Sequence, residues 1–470
     1  MAKNQIGLEP IYDAKTLGYP RMGILGFQHL FAMFGATVLV PLLTGLNVQT
    51  TLLMAGIGTL LFHLLTKFKV PAFLGSSFAF LGGYAMIAPL AKDGSANAEM
   101  LPYACFGVVC AGALYVILAA VIKIVGIKRV MKLFPPVVTG PIIIAIGLCL
   151  APTALNNCAQ CWPLALIALA TVIAFNIWGK GMSKIIPILI GVAVAYVCAL
   201  VFGNLLEISA FTKVEWWNIT SSKTPWVALP VQWKGTVFGG VDFSQKAKVV
   251  TAITTMVPIA IATMMEHIGD ICAISATCDK DFINEPGLHR TLLGDGLATS
   301  LASLFGGPAN TTYGENTGVL ALSKVFDPRV VRIAAYVAIL LSFSPKFAMI
   351  IEVMPAGIVG GISFMLYGMI AAIGVRNVVE AQVDFSKSRN VIVAAIIVVS
   401  ALGIKYSSGM GADLANSIDG AVSFKIGSVG FTLSGLAVAA FAGIVLNLLF
   451  PDKDPVIVQG GVEPKEESAE

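Results

Sequence analysis

Charge is what this sequence has least of. Asp, Glu, Lys and Arg make up 12% of its 470 residues, about half the share of roughly 25% usual in soluble domains. Hydrophobic residues make up 57%, and mean hydropathy is +0.86. These values exclude a soluble globular chain and a disordered one. No cleavable leader is expected. The first twenty residues are polar and mixed in charge, with no apolar h-region and no small-residue cleavage site, so the first span itself is expected to direct insertion. No low-complexity linker divides the chain. No HExxH, GxSxG or Walker pattern stands beside its acidic clusters, which speaks against a membrane-embedded enzyme.

What is present is a long series of apolar stretches. A hydrocarbon core near 30 Å needs about 17–25 residues per crossing. About fourteen such stretches can be laid along the chain, starting near residues 24, 48, 72, 102, 134, 161, 183, 249, 291, 312, 330, 353, 390 and 429; the third, tenth and thirteenth are weak by hydropathy alone. With the N-terminus inside, 21 of the 30 Lys and Arg residues fall on the cytoplasmic side, as the positive-inside rule requires. Both termini are therefore expected in the cytoplasm. The net charge of +4 follows from this bias and gives no case for nucleic acid.

Residues 204–248 form the one sizeable break and hold Trp216, Trp217, Trp226 and Trp233, which read as outer-interface anchors or, alternatively, as an aromatic lid. The tail after Phe450 is polar and expected to be disordered. Eight cysteines are scattered, mostly in apolar segments. Cys158 and Cys161 have CxxC spacing without a second pair, which leaves buried thiols, an outer-face disulfide and a metal site open in that order.

The break divides the spans seven and seven, an arrangement that would make two inverted repeats. Pro135 to Gly140 and Pro355 to Gly360 echo one another in spans five and twelve. Spans three and ten are both interrupted by small and hydroxylated residues, Pro71-Ala-Phe-Leu-Gly75-Ser76-Ser77 and Gly306-Gly307-Pro308-Ala-Asn310-Thr311-Thr312. Matched interruptions in two halves point to a binding site at mid-membrane, although small residues also serve plain helix packing.

Two acidic clusters stand in sequence that otherwise reads as lipid-buried: Glu266-His267-Ile268-Gly269-Asp270 and Tyr313-Gly314-Glu315-Asn316. A carboxylate at membrane depth costs about 2.5–3.5 kcal/mol on insertion scales and so marks a substrate or ion path. Broken spans offer backbone N–H groups at half-helix N-termini, here at Phe78 and Gly314, while Glu266 and Glu315 accept N–H groups from a ligand. Donors beside acceptors suit a flat ring with alternating N–H and C=O groups, such as uracil, flanked by Phe78, Tyr313 and Tyr367. Glu266 and Asp270 lie four apart on one helix face, where neighbouring carboxylates share protons, so a proton is the expected coupling ion and Na⁺ the alternative. Asp270 could instead cap the inner end of span eight. His29, near the start of span one, reads as an interhelical hydrogen-bond partner or a proton carrier.

The chain resembles the nucleobase/ascorbate transporters (nucleobase–cation symporter 2), in their bacterial uracil permease branch. The similarity runs from about Gln28 to Asn447 and rests on residues 28–41, 71–80, 266–270, 286–290 and 310–319. It implies an all-α polytopic membrane protein with fourteen spans in two inverted seven-span repeats and short strands in broken spans three and ten. It further implies a core domain (24–133 and 249–351) and a gate domain (134–203 and 352–450), with 1–23 and 451–470 cytoplasmic and 204–248 extracytoplasmic. Carried over, Glu266 and Glu315 match substrate-binding carboxylates, Phe78 and Gly314 backbone contacts, Tyr313 and Tyr367 aromatic neighbours, and His29 a polar residue near the site. Glutamate at 315 resembles the uracil type, whereas purine carriers have glutamine there. Asp270 stands where some uracil permeases have histidine. No cofactor is implied. A homodimer through gate domains is, and Gly357-xxx-Gly361 offers a small-residue packing motif. A purine carrier of the same fold, and an anion channel or exchanger of similar architecture, are the alternatives.

Overall fold

The computed structural model describes residues 6–91, 95–126, 129, 134–180, 183, 186–215, 224–407, 410–411, 421–426 and 429–451; at 34–36, 315, 410–411, 423–426 and 429–432 it describes the backbone course alone. Among these residues, eight helices are long and apolar enough to cross a membrane, or nine if one sharply bent pair is a single span. This is a multi-pass membrane protein.

In chain order the main helices are α1 (Tyr19–Thr44), α2 (Val48–Leu65), α3 (Leu81–Ile87), α4 (Leu101–Val125), α5 (Pro136–Gln160), α6 (Trp162–Ile177), α7 (Pro187–Cys198, continued by a π turn to Leu205) and α8 (Lys246–Met256). They continue as α9 (Ile259–Cys278), α10 (Leu288–Leu304), α11 (Gly314–Ser323), α12 (Pro328–Ser342), α13 (Pro345–Glu352), α14 (Ala356–Glu380), α15 (Ser388–Lys405) and α16 (Gly435–Leu449). Local chemistry sets many ends. Gly45 closes α1 in the left-handed region (φ +79°), its N–H returning to Pro41 O at 2.8 Å, where a side chain would be strained. Asn47, Asp327, Ser344 and Ser434 cap the starts of α2, α12, α13 and α16 with side-chain oxygens. The first helix starts at Tyr19, five residues before the expected position, because Pro20 sits in its first turn. Helices α12 and α13 meet at 91°.

The two interrupted stretches are neither continuous helix nor loop. Residues 74–76 and 310–312 form three-residue strands, β1 and β2, paired antiparallel in the register Leu74↔Thr312, Gly75↔Thr311, Ser76↔Asn310. Backbone bonds extend the ladder at both ends, Ser77 N to Ala309 O (2.8 Å) and Tyr313 N to Phe73 O (3.1 Å). Non-helical backbone is tolerated at membrane depth only inside protein or beside a water-filled cavity. All six strand residues are buried, between α1, α2 and α10. Short helices follow each strand, α3 after β1 and α11 after β2.

Helices α1, α2, α4, α10 and α12 pack on one another, and α5, α6, α14, α15 and α16 form a second group. Small residues allow the closest approaches. Gly112 of α4 faces Gly296 of α10, and Gly140 of α5 faces Gly374 of α14. The Gly357-xxx-Gly361 motif is used within the chain: both glycines press on α6 and the residue before it, where a Cβ on Gly357 would stand 2.6 Å from Cys161 O and one on Gly361 would strike Ala165 O. The motif therefore contributes no outward dimer face, since a stripe of small residues does not specify which helix meets it. Replacing Gly361 with Ala is expected to force α14 off α6 and lower stability by about 1–3 kcal/mol, read as a lower melting temperature in detergent.

Cys158 and Cys161 are buried free thiols, Cys161 Sγ lying 3.4 Å from Ala210 O. Trp226 and Trp233 are exposed at 73% and 67% and neither reaches the cavity described below, so they form no lid. Trp216, Trp217 and residues 452–470 lie outside the described residues. An N-terminal strap, not anticipated from its polar sequence, runs across the end of α11 before α1 begins. Ile11 pairs with Val325, Ile11 N bonds Lys324 O (2.8 Å), Phe326 N bonds Ile11 O (2.8 Å) and Lys324 Nζ bonds Leu8 O (2.9 Å).

Candidate functional site

The β1–β2 pair brings the ends of two half-helices together. As the first residue of α11, Gly314 presents an N–H that has no carbonyl to meet within its own helix, and the positive end of the helix dipole points the same way. Phe78 stands between β1 and α3. Both residues line one cavity of about 910 Å³. Glu266 and Asp270, from successive turns of α9, line it too, as do Thr312 and Tyr313. The sequence reading thus placed five of its residues on one cavity wall: Glu266, Asp270, Phe78, Tyr313 and Gly314.

Exposed lining residues mark a mouth of the cavity among the described residues. Asp279, Lys280, Arg376 and Glu380 line its mouth, on the side rich in basic loop residues. Phe78 also borders, with Gly83, Ile146, Cys149 and Leu436, a separate void of about 20 Å³, room for about one water. Helices α5 and α14 supply the facing wall with Thr139, Ile143, Ile373 and Asn377, and Asn377 Nδ2 donates to Thr139 Oγ1 at 3.2 Å.

Asp270 does not cap α9. That helix continues two turns further, to Cys278, with Asp279 at its end. Asp270 instead turns toward β2 and α11: Thr312 Oγ1 donates to Asp270 Oδ2 at 2.9 Å, and a Cβ added to Gly314 would lie 3.6 Å from Asp270 Oδ1. A carboxylate at this point meets the positive end of α11.

From Asp270 a line of polar groups runs away from the cavity into the packed interior. Thr312 Oγ1 stands 3.4 Å from His267 Nδ1, which stands 3.1 Å from Asp295 Oδ2 on α10. The His267 and Asp295 side chains are both wholly buried. Buried polar groups are kept only where a partner offsets part of their desolvation, and here each side chain is the other's near neighbour. The sequence reading missed Asp295 and gave His267 no part. The rule that singled out Glu266, an acid inside an apolar stretch, applies equally to Leu293-Gly294-Asp295-Gly296-Leu297 and would have found it.

Other residues fall behind the cavity wall. Tyr367 is fully buried and does not line the cavity; its ring meets Phe78 edge-on, centroids 5.8 Å apart at 81°, so it fixes the ring that does. Tyr313 faces the cavity, but its hydroxyl donates to Ser76 O at 2.8 Å and accepts from Thr37 Oγ1 at 3.2 Å. That fastens α11 to β1 and α1. His29 is fully buried away from the cavity, its Nδ1 3.1 Å and its carbonyl 3.2 Å from Asn316 Nδ2. It is a packing partner of α11 rather than a group facing a substrate. Glu315 is the second residue of α11; its side chain lies outside the described residues.

Comparison with known proteins gives three results. A family model described as the Permease family matches residues 21–409. Curated relatives include uracil permeases of Bacillus caldolyticus, 39% identical with 94% of each chain covered, and of Bacillus subtilis (strain 168), 37% identical with 90% of this chain and 91% of that one covered. A putative pyrimidine permease, RutG, of Escherichia coli (strain K12) is 34% identical, with 93% and 91% covered. Among solved structures, the transmembrane domain of the cyanobacterial bicarbonate transporter BicA aligns with a TM-score of 0.57 at 15% identity, covering 82% of this chain and 96% of that one. SLC26A9 aligns with 0.61 at 12%, covering 93% and 66%. At such identities the likeness is one of fold: these are transporter membrane domains.

Proposed function

This chain belongs to the Permease family, and from that premise we propose that it imports uracil across a bacterial cytoplasmic membrane, coupled to protons, with both termini in the cytoplasm. It is a transporter, not an enzyme. The observation that carries the reading is that Glu266, the amide end of α11 at Gly314, Phe78 and Tyr313 all line one cavity. Uracil has two N–H donors and two carbonyl acceptors on a flat ring. Micromolar binding requires about −8 kcal/mol, which across eight heavy atoms approaches the ceiling of about −1.5 kcal/mol per atom for tiny ligands. Nearly every polar edge must then be met. Glu266 and Glu315 take the N–H groups, the backbone at Phe78 and Gly314 gives to the carbonyls, and Phe78, held by Tyr367, covers a ring face.

Asp270 supplies the coupling. It reaches the cavity on one side and the Thr312, His267 and Asp295 series on the other, so its proton is exchanged with the solution at the mouth while its charge is read by α11. Movement of the core domain (24–133, 249–351) against the gate domain (134–203, 352–450) then opens the cavity alternately to the two sides. Fourteen spans in two inverted repeats and a homodimer through gate domains complete the proposal. A purine substrate is not favoured, because the named relatives are uracil and pyrimidine permeases. The bicarbonate and anion transporters share the fold, but Glu266 and Asp270 in the cavity repel an anion.

Uptake of labelled uracil into proteoliposomes, under separately imposed pH and sodium gradients, tests both parts. A pH gradient, acid outside, is expected to drive accumulation, unlabelled uracil to abolish it and xanthine to leave it unchanged. Accumulation driven by sodium alone would overturn the coupling, and equal competition by xanthine the substrate. Asp270→Asn is expected to keep uracil binding within about threefold while losing the response to pH, since about 2.3 kcal/mol per 100 mV is available only to a moving charge. Binding measured beside gradient-driven uptake checks this separation.

A further inference from the structure

A second cavity, of about 1140 Å³, lies beneath the N-terminal strap, and Lys280 with Asp281 line both it and the mouth of the first. Its lining balances four carboxylates, Asp13, Asp281, Glu285 and Asp327, with four cations, Lys69, Lys280, Arg329 and Arg332. Arg329 pairs with Asp13 (2.7 Å) and Asp327 (3.3 Å), Lys69 pairs with Glu285, and Asp281 accepts from the Asn284 amide (3.1 Å). Two cations remain. Lys280 Nζ sits 4.4 Å from the Tyr12 ring centroid and Arg332 Cζ 4.9 Å from that of Phe68; among the described residues neither makes an ion pair. A ring face is a partial partner for a cation and leaves its N–H donors to a ligand.

We infer that this cavity binds a phosphate-bearing anion, with Lys280 and Arg332 as its donors and the headgroup of an anionic phospholipid as the favoured source. Three observations point to lipid. The cavity is at the basic end of the molecule, where an anionic leaflet is met. Its outer rim is apolar and open, Phe68 and Tyr336 being about half exposed, and Tyr336 continues into Leu340 (71% exposed) on the outward face of α12, the direction in which acyl chains would leave. Basic pockets between membrane helices on this side take phosphate headgroups, and the Arg332 guanidinium can meet two phosphate oxygens at once. Tyr12 OH also donates to Cys278 O at 2.9 Å, so the occupant touches residues fastened to the end of α9, the helix that carries Glu266 and Asp270.

The test is retention of lipid by the purified full chain, because Lys280 borders the transport cavity and uptake alone would confound two roles. Detergent-solubilised protein is exchanged into phosphatidylglycerol or phosphatidylcholine and bound lipid counted by native mass spectrometry; a further arm offers inorganic phosphate with phosphatidylcholine only. Wild type is expected to retain phosphatidylglycerol over phosphatidylcholine, and the Lys280→Gln, Arg332→Gln double variant to retain it about tenfold or more weakly. The single Arg332→Gln is expected between the two, and Arg332→Lys between that variant and wild type, since it keeps the charge and loses the two-point contact. Binding of inorganic phosphate with the same dependence on Arg332 would assign the site to a soluble anion. Equal retention by wild type and both glutamine variants, or no preference for either anion over phosphatidylcholine, would overturn the inference. The single variant keeps the test decisive if the double one fails to fold.

Discussion

Replacing Glu266 with Gln is expected to reduce uracil uptake to about 1% of wild type or less. The substitution keeps shape and removes charge. In the proposed binding mode it turns a charge-assisted acceptor of a ligand N–H, worth about 1.5–3 kcal/mol, into a group whose own N–H₂ can face that donor. A loss of about 2.7 kcal/mol is already a hundredfold, and eight heavy atoms offer nothing to compensate. Initial uptake rates together with equilibrium binding of labelled uracil measure the effect; both should fall. Glu315→Gln should behave alike. Binding by the Glu266 variant within threefold of wild type would remove that residue from the site.

The second large effect falls on stability. Asp295→Ala is expected to cost about 1–3 kcal/mol, because His267 Nδ1 is left buried beside an empty space without its carboxylate neighbour. Adding His267→Leu should restore much of this loss, since apolar replacement of a whole buried pair is often neutral or favourable. The two single variants and the double form a mutant cycle, read as melting temperature in detergent. If the pair does no more than fill space, uptake returns with stability in the double variant. If it supports the coupling carboxylate through Thr312, uptake driven by a pH gradient stays absent while the fold recovers.

Much of the architecture was legible because the bilayer simplifies the code. Apolar length located most helices within a few residues, and Pro, Gly, Ser and Thr runs at 71–77 and 306–312 marked the two stretches that became strands. The cavity wall was legible for a related reason: an acid such as Glu266 has no other business in hydrocarbon. What escaped notice depends on contacts distant in sequence. Nothing near His29 announces Asn316, and nothing near Tyr367 announces Phe78. The strap was invisible for a different cause. Its docking joins backbone groups of residues 323–326, which carry no side-chain pattern, to side-chain contacts such as Asp13 with Arg329 that are distant in sequence. Asp270 was misread in one of its two senses because hydropathy gave the end of α9 only softly, and two additional turns decide whether a residue caps a helix or faces its neighbour.

The pairing of residues 73–77 with 309–313 has a consequence during synthesis. The first stretch leaves the ribosome roughly 230 residues ahead of the second, which at about 5–20 residues per second is a wait of about 10–50 seconds. Through that interval the amide of Ser77 and the carbonyl of Phe73 lack their eventual mates in a medium that offers no water. The nascent first half must therefore be harboured beside the insertion machinery, and slowing translation of the second half should expose it to quality-control proteolysis well before any defect in the finished carrier could be seen.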